Sequence, residues 1–149
     1  MTKKMVNGVP VDMDPAEAAE FEGQRALTLP KAKQQARDLI GLRRDRAETG
    51  GFAYLTARYP SDGNSLARIS ILGERARTAK AASLPFVVSL IAMDDSMSNF
   101  NANELIALEV AAGDHFAACS ENAKVLRLAV NAAADLAAVA AVDLEVGWP

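Results

Sequence analysis

Residues 101–133 read NANELIALEVAAGDHFAACSENAKVLRLAVNAA, with no proline to interrupt them. Asn101 followed by Glu104 is a capping box: the asparagine side chain accepts from the third helical N–H, and the glutamate reaches back to the N–H of the cap. Leu105, Leu108, Ala112, Cys119, Leu126, Ala129 and Ala133 then recur at the alternating three-and-four spacing of a helix–helix seam, with Ile106, Val110 and Val130 widening the face. The stretch predicts one long helix packed along its length, and that settles a mainly helical fold.

Upstream, Phe86–Met93 is the clearest strand in the chain. It is followed by a turn at Asp94-Asp95-Ser96 and a short return from Met97 to Phe100. SLARISILGERARTAKAA reads as a helix with Leu66, Ile69, Leu72 (or Gly73) and Ala76 on one face, and Ser61, Asp62 and Asn64 compete to cap it. Before it, Gly50-Gly51 ends a helix, and GFAYLTARY alternates as a small β-hairpin that turns near Leu55–Ala57 without the usual Asn-Gly. The helix it ends begins near Pro30. Its narrow stripe of Ala32, Ala36, Leu39, Ile40 and Leu42 suits packing against partner chains or standing off the main domain. Asp14, Pro15 and Glu17 open an earlier helix from about Pro15 to Leu27. The first residues, MVNGVPVDM, suit a strand, a tiny hairpin around Asn7-Gly8, or an arm that orders against a partner.

The bulk figures set outer bounds. A chain of 149 residues, 50% hydrophobic and 23% charged, suits one soluble domain or a domain with an arm. Much of the apolar share is alanine, which favours helix and close packing but buries little area. The net charge of −3 and the acids Asp38, Asp45 and Glu48 beside Arg37, Arg43, Arg44 and Arg46 argue for a solvated, internally paired helix face rather than a nucleic-acid surface. One cysteine rules out an intrachain disulfide and a cysteine-rich zinc site. No signal-peptide pattern opens the chain, and Leu84–Met93 is too short to span a bilayer.

Few side chains offer chemistry. His115 and Cys119 stand four apart on one helix face, a ligand-like spacing, yet a closed zinc site needs four ligands and an open one three; Asp114 alone does not complete it. As a nucleophile pair they lack a third group to orient the base. The plain alternative is a histidine and a thiol packed in the seam. Asp94 and Asp95 suit local turn bonds. Gly50-Gly51 lacks the lysine of a phosphate loop, and GxGxxG and GxSxG are absent. Tyr54 and Tyr59 could present a sugar-binding face or pack between sheet and helix. Trp148 could anchor a partner or dock the tail on its own domain. No catalytic, cofactor-binding or metal residue is assigned.

Taken in order, these pieces form a series: the arginine, glutamate and glycine pair of Arg44–Gly51, aromatic residues and Ser-Asp through Asp62, and SLARI at Ser65–Ile69. The strand and Asp-Asp turn at Phe86–Asp95, ANELIALE at Ala102–Glu109, HxxxC at His115–Cys119 and GWP at Gly147–Pro149 complete it. The series resembles a domain family of unknown function found in tail-fibre and tail-assembly regions of bacteriophages and prophages. It covers roughly residues 37–149. Here the hairpin turn at Leu55–Ala57 departs from that family's usual glycine.

The expected fold is α+β, mostly α. Residues 1–36 would form an N-terminal arm and helix for partner binding or oligomerisation, and residues 37–149 a compact mainly helical domain with small β-hairpins and a long C-terminal helix. The resemblance implies a bacteriophage tail structural or connector protein of the tail-fibre or baseplate region, acting by protein–protein binding in the virion. The alternative is a tail-fibre assembly chaperone absent from the mature particle. Expected partners are other phage tail, baseplate or tail-fibre proteins and further copies of the chain. A homotrimer is favoured from the thin stripe at 31–42 and the long seam. No cofactor, nucleic acid or membrane is expected, and the protein would be made in the host cytoplasm and reside in the virion tail.

Overall fold

The computed structural model of the chain describes residues 3–6, 9–25 and 27–149. Strands β1 (Lys3–Val6) and β2 (Val9–Asp12) pair antiparallel; the turn expected at Asn7-Gly8 lies outside the described residues. Helix α1 (Pro15–Arg25) opens on the expected capping box, with Asp14 Oδ1 accepting from the N–H of Glu17 at 2.8 Å. Lys4 of β1 pairs with the same Glu17 and ties hairpin to helix. Helix α2 (Leu29–Thr49) runs unbroken through residue 36, where the sequence suggested a division.

Everything after Thr49 is organised around one helix, α4 (Ala102–Ala132). Its capping box is present: the N–H of Glu104 donates to Asn101 Oδ1, and the Glu104 carboxylate accepts from the N–H of Asn101. Leu105, Leu108, Ala112, His115, Cys119, Ala123, Leu126 and Val130 are its buried residues. This stripe corrects the expected seam at its C-terminal end, where Ala123 is buried and Ala129 exposed, while Val130 is buried as expected. Counting about 100° per residue from Cys119, Val130 lies only about 20° off that face and Ala129 about 80°. Val110, expected to widen the face, is exposed.

Two hydrophobic clusters use this stripe. The N-terminal half of α4 joins Phe52 of β3 (Phe52–Tyr54), Tyr59 of β4 (Ala57–Tyr59), Ile69 and Ala76 of α3 (Gly63–Ala81), and Phe100 of β6 (Met97–Asn101). The C-terminal half joins Ala32, Ala36 and Ile40 of α2 with Val139 of the short α5 (Leu136–Ala140). Helices α2 and α4 run in opposite directions, since Lys33 Nζ donates to the carbonyl of Asn131 while Ala47 faces His115. Helix α2 is therefore packed into the domain. This overturns the idea that it stands off, although Leu39 and Leu42 do face outward. The expected Phe86–Met93 strand is β5 (Val87–Ile91), paired antiparallel with β6 so that Ser89 lies opposite Asn99.

The corner after α2 explains the paired glycines. Gly51 has φ of +90°, and a Cβ there would collide with Met93 Sδ and come within 3.0 Å of the Tyr59 carbonyl. Its N–H donates to Ser61 Oγ at 2.8 Å, and that hydroxyl donates to the Glu48 carbonyl at 2.5 Å. Ser61, one of three caps considered for α3, is instead a buried brace, and Asp62 caps the helix by accepting from the N–H groups of Asn64 and Ser65. Those bonds, led by the one from the Ser65 hydroxyl, hold the Asp62 carboxyl below its ordinary value. The hairpin turn is Leu55-Thr56, with Leu55 alone at positive φ, 55°. That is the sign pattern of a turn that favours glycine at this position.

Both bracing residues predict large losses. Gly51→Ala is expected to lower unfolding free energy by about 2–4 kcal/mol, combining left-handed strain with overpacking. Ser61→Ala is expected to lower it by about 2 kcal/mol, since a buried donor and acceptor lose their partner. Urea titration followed by circular dichroism measures both. A loss under about 0.5 kcal/mol in either, the level of an ordinary surface change, would contradict the corner as described.

Candidate functional site

The histidine and the cysteine singled out by spacing meet between the two clusters. His115 is buried, and its Nε2 lies 2.9 Å from the carbonyl of Ala47 in the last turn of α2. A carbonyl can only accept, so Nε2 carries the proton and donates. The Ala47 carbonyl also accepts from the capping N–H of Gly50 at 3.3 Å, so the histidine adds a second bond at the end of α2. Cys119 Sγ sits 3.8 Å from the same nitrogen. The His115 ring also packs at 6.4 Å from that of Phe52 and edge-on to Phe116 at 5.9 Å.

This geometry gives the histidine a structural bond through one ring nitrogen. Its Nε2 is neither a free base nor a free ligand while it holds Ala47. Burial, with a smaller contribution from Glu48, pushes the Cys119 thiol above its ordinary value, which disfavours the thiolate that nucleophilic or metal chemistry requires. Asp114 faces solvent beside the seam. Among the described residues, no group of three or more His, Cys, Asp or Glu side chains is gathered as a metal site.

The remaining candidates disperse. Asp94 accepts from the hydroxyl and N–H of Ser96 in the β5–β6 turn, which holds its carboxyl below the ordinary value. Asp95 occupies a positive-φ position in the same turn. Tyr59 is buried against Phe52 and Phe100, and the Tyr54 hydroxyl donates to the Glu104 carbonyl, so the two tyrosines pack between the hairpins and α4. Arg44 pairs with Asp45 and Glu48, and Arg43 pairs with Glu145. Trp148 docks on the C-terminal cluster and donates to the Leu144 carbonyl at 2.9 Å, the tail-docking alternative.

What remains is surface. The outward side of the β5–β6 hairpin carries Val87, Ile91 and Met97, with Met93 just beyond, and Val87 and Met97 are each 70% exposed. Ile91 and Met97 are directly opposed in register, so they form one apolar patch at the turn end of the hairpin. A cleft of about 260 Å³ lies beside β5, walled by Arg68 and Ile69 of α3, Ser89 and Ile91 of β5, and Tyr59 with Pro60. The sequence reading missed this cleft. Its available signal was a strand with apolar residues at both parities, which asks for cover on both faces.

The assignment of the 115–119 segment to packing has a direct check. Cys119 is expected to react with a thiol reagent at least about a hundredfold more slowly in the native protein than in urea, because a buried thiol with a raised pKa presents little thiolate. His115→Ala is expected to lower unfolding free energy by about 2–4 kcal/mol through the lost hydrogen bond and the cavity. Native labelling at the unfolded rate, or an unchanged stability, would contradict a structural role.

Residues 31–146 match a family described as "Domain of unknown function (DUF4376)". No curated protein and no solved structure matches the chain. The matched span starts inside α2 and ends just short of the docked Trp148, and so takes in both hydrophobic clusters and the whole of α4. The chain belongs to the DUF4376 family.

Proposed function

We propose that this protein is a bacteriophage tail component of the tail-fibre or baseplate region, a structural or connector protein that acts by binding other tail proteins and further copies of itself. The observation that carries the binding part is the exposed apolar patch at the turn end of the β5–β6 hairpin, where Ile91 and Met97 stand opposite each other in solvent with Met93 just beyond. Isolated exposed apolar residues are ordinary; a contiguous group on one element marks an interaction surface. The tail assignment rests on the ordered motif series from Arg44 to Pro149. The engagement of His115 with Ala47 and the burial of Cys119 add support, since they leave the most reactive side chains occupied in packing.

The same surface would serve an assembly chaperone, which shields apolar faces of fibre subunits and then leaves. Mass spectrometry of purified virions and of infected-cell lysate separates the readings. Detection in particles at a stoichiometry comparable with known tail proteins is the expected result. Presence in the lysate and in complexes with fibre subunits, but not in particles, selects the chaperone. Presence in the lysate without association with any tail protein would overturn both.

A further inference from the structure

In an antiparallel pair, residues alternate between those that bond across the ladder and those whose N–H and C=O point away from it. The N–H of Ala92 donates to the carbonyl of Ser96, and the register places Ile91 opposite Met97. Leu90 and Val88 share the parity of Ala92 and bond toward β6. Val87, Ser89 and Ile91 therefore direct their backbone groups to the other edge. The N–H of Met93, of the same parity, confirms the direction by donating outward to the carbonyl of Arg58 in β4. Beyond that bond no described strand continues along the edge, and the cleft beside Ser89 and Ile91 opens there instead.

Open edges are usually guarded by proline, by charge or by a bulge, because they template pairing with another chain. The N-terminal hairpin follows this rule, with Lys3 on one strand and Pro10 on the other. The β5 run Val87–Ile91 contains no proline and no charge. One wall of the cleft is α3, which contributes Arg68, while Arg75, two turns on, lines a neighbouring depression with Glu74, Leu84, Pro85 and Phe86. Neither arginine has an ion-pair partner among the described residues. A cationic group without a partner, Arg68, beside an unguarded strand edge defines the chemistry of the visitor.

We propose that the outer edge of β5 receives an extended segment of a partner protein as an added strand, with apolar side chains at alternate positions and a carboxylate that pairs with Arg68. Backbone groups of Val87, Ser89 and Ile91 supply the hydrogen bonds. Ile69 and Tyr59 at the floor and walls of the cleft receive the apolar side chains, the division of labour seen wherever strand addition is used for recognition. The β5 edge of a second copy fits less well, since its Val87–Ile91 run brings no carboxylate to Arg68. This assignment rests on the binding role proposed above and names the chemistry of the partner.

The test is selection of a yeast-displayed library of random octapeptides on the full chain, with Ser89→Pro, Ser89→Ala and Arg68→Glu variants as comparators. Proline at 89 removes an N–H that points away from β6, so the β5–β6 ladder stays intact. The expected result is enrichment of peptides with alternate apolar residues and an Asp or Glu. Their binding should weaken about tenfold or more in Ser89→Pro, the effect of one lost hydrogen bond plus crowding, and likewise in Arg68→Glu, but persist in Ser89→Ala. Peptide-induced slowing of amide exchange at Ser89 and Ile91 in the unaltered chain tests the same edge if the proline variant fails to fold. Enriched peptides insensitive to these variants, no enrichment, or no slowing would overturn the proposal. Protection of the edge that rises with protein concentration alone would overturn it in favour of a second copy. Detection in virions alongside a failed selection removes this edge and leaves the tail reading standing, while a successful selection without tail association does the reverse.

Discussion

A single stripe on α4 has to satisfy two hydrophobic clusters at once. Leu105, Leu108 and Ala112 close the cluster of hairpins and α3, and Ala123, Leu126 and Val130 close the cluster of α2 and α5. Between them sit His115 and Cys119, buried yet in neither cluster, at the point where α2 ends. The bond from His115 to Ala47 is thus a joint between halves. It fixes the end of α2 against the middle of α4, and from there the chain turns through Gly51 into β3. Ser61 closes the same corner from the far side by touching both Glu48 and Gly51. Rotating α4 about its axis would break both clusters and this joint together.

The alanine content decides how the rest is arranged. Ala32, Ala36, Ala76, Ala112 and Ala123 lie at the buried helix contacts, and such small side chains let helices approach closely while burying modest apolar area. Larger apolar residues are left outside: Leu39 and Leu42 on α2, Val125 and Leu128 on α4, and the Val87, Ile91 and Met97 set on β5–β6. A domain built this way has a tight interior and leaves several large apolar side chains outside, which suits a protein that binds other chains. The proposal of a tail component draws its physical sense from that imbalance.

Helix starts and stops were legible because they depend on local chemistry. Asn101 with Glu104, Asp14 with Glu17, and Gly50-Gly51 each act within a few residues, and the structure places them where the spacing did. The length of α4 was legible for the same reason. Its last turns were less so, since a seven-residue count drifts from a helix of 3.6 residues per turn; it puts Ala129 in the seam, where the structure exposes it, and passes over the buried Ala123. Ser61 was misplaced because hydroxyls next to a helix start usually cap it; only the return of the chain to Glu48, thirteen residues earlier, shows its other partner. The β5 cleft depends on how α3 crosses the hairpin, a long-range relation that no local pattern carries. His115 showed its ligand-like spacing in the sequence, but its acceptor lies sixty-eight residues away.

The claim that one helix welds both clusters into a single cooperative unit is tested by native-state hydrogen exchange of the wild type and Leu108→Ala. Removing a buried leucine is expected to cost about 2–5 kcal/mol. If α4 couples the clusters, slow amides of α2, whose buried side chains all lie in the far cluster, should lose as much protection as those of α3 beside the substitution. Protection in α2 that stays at the wild-type level while α3 loosens would show two independently stable halves and contradict the account.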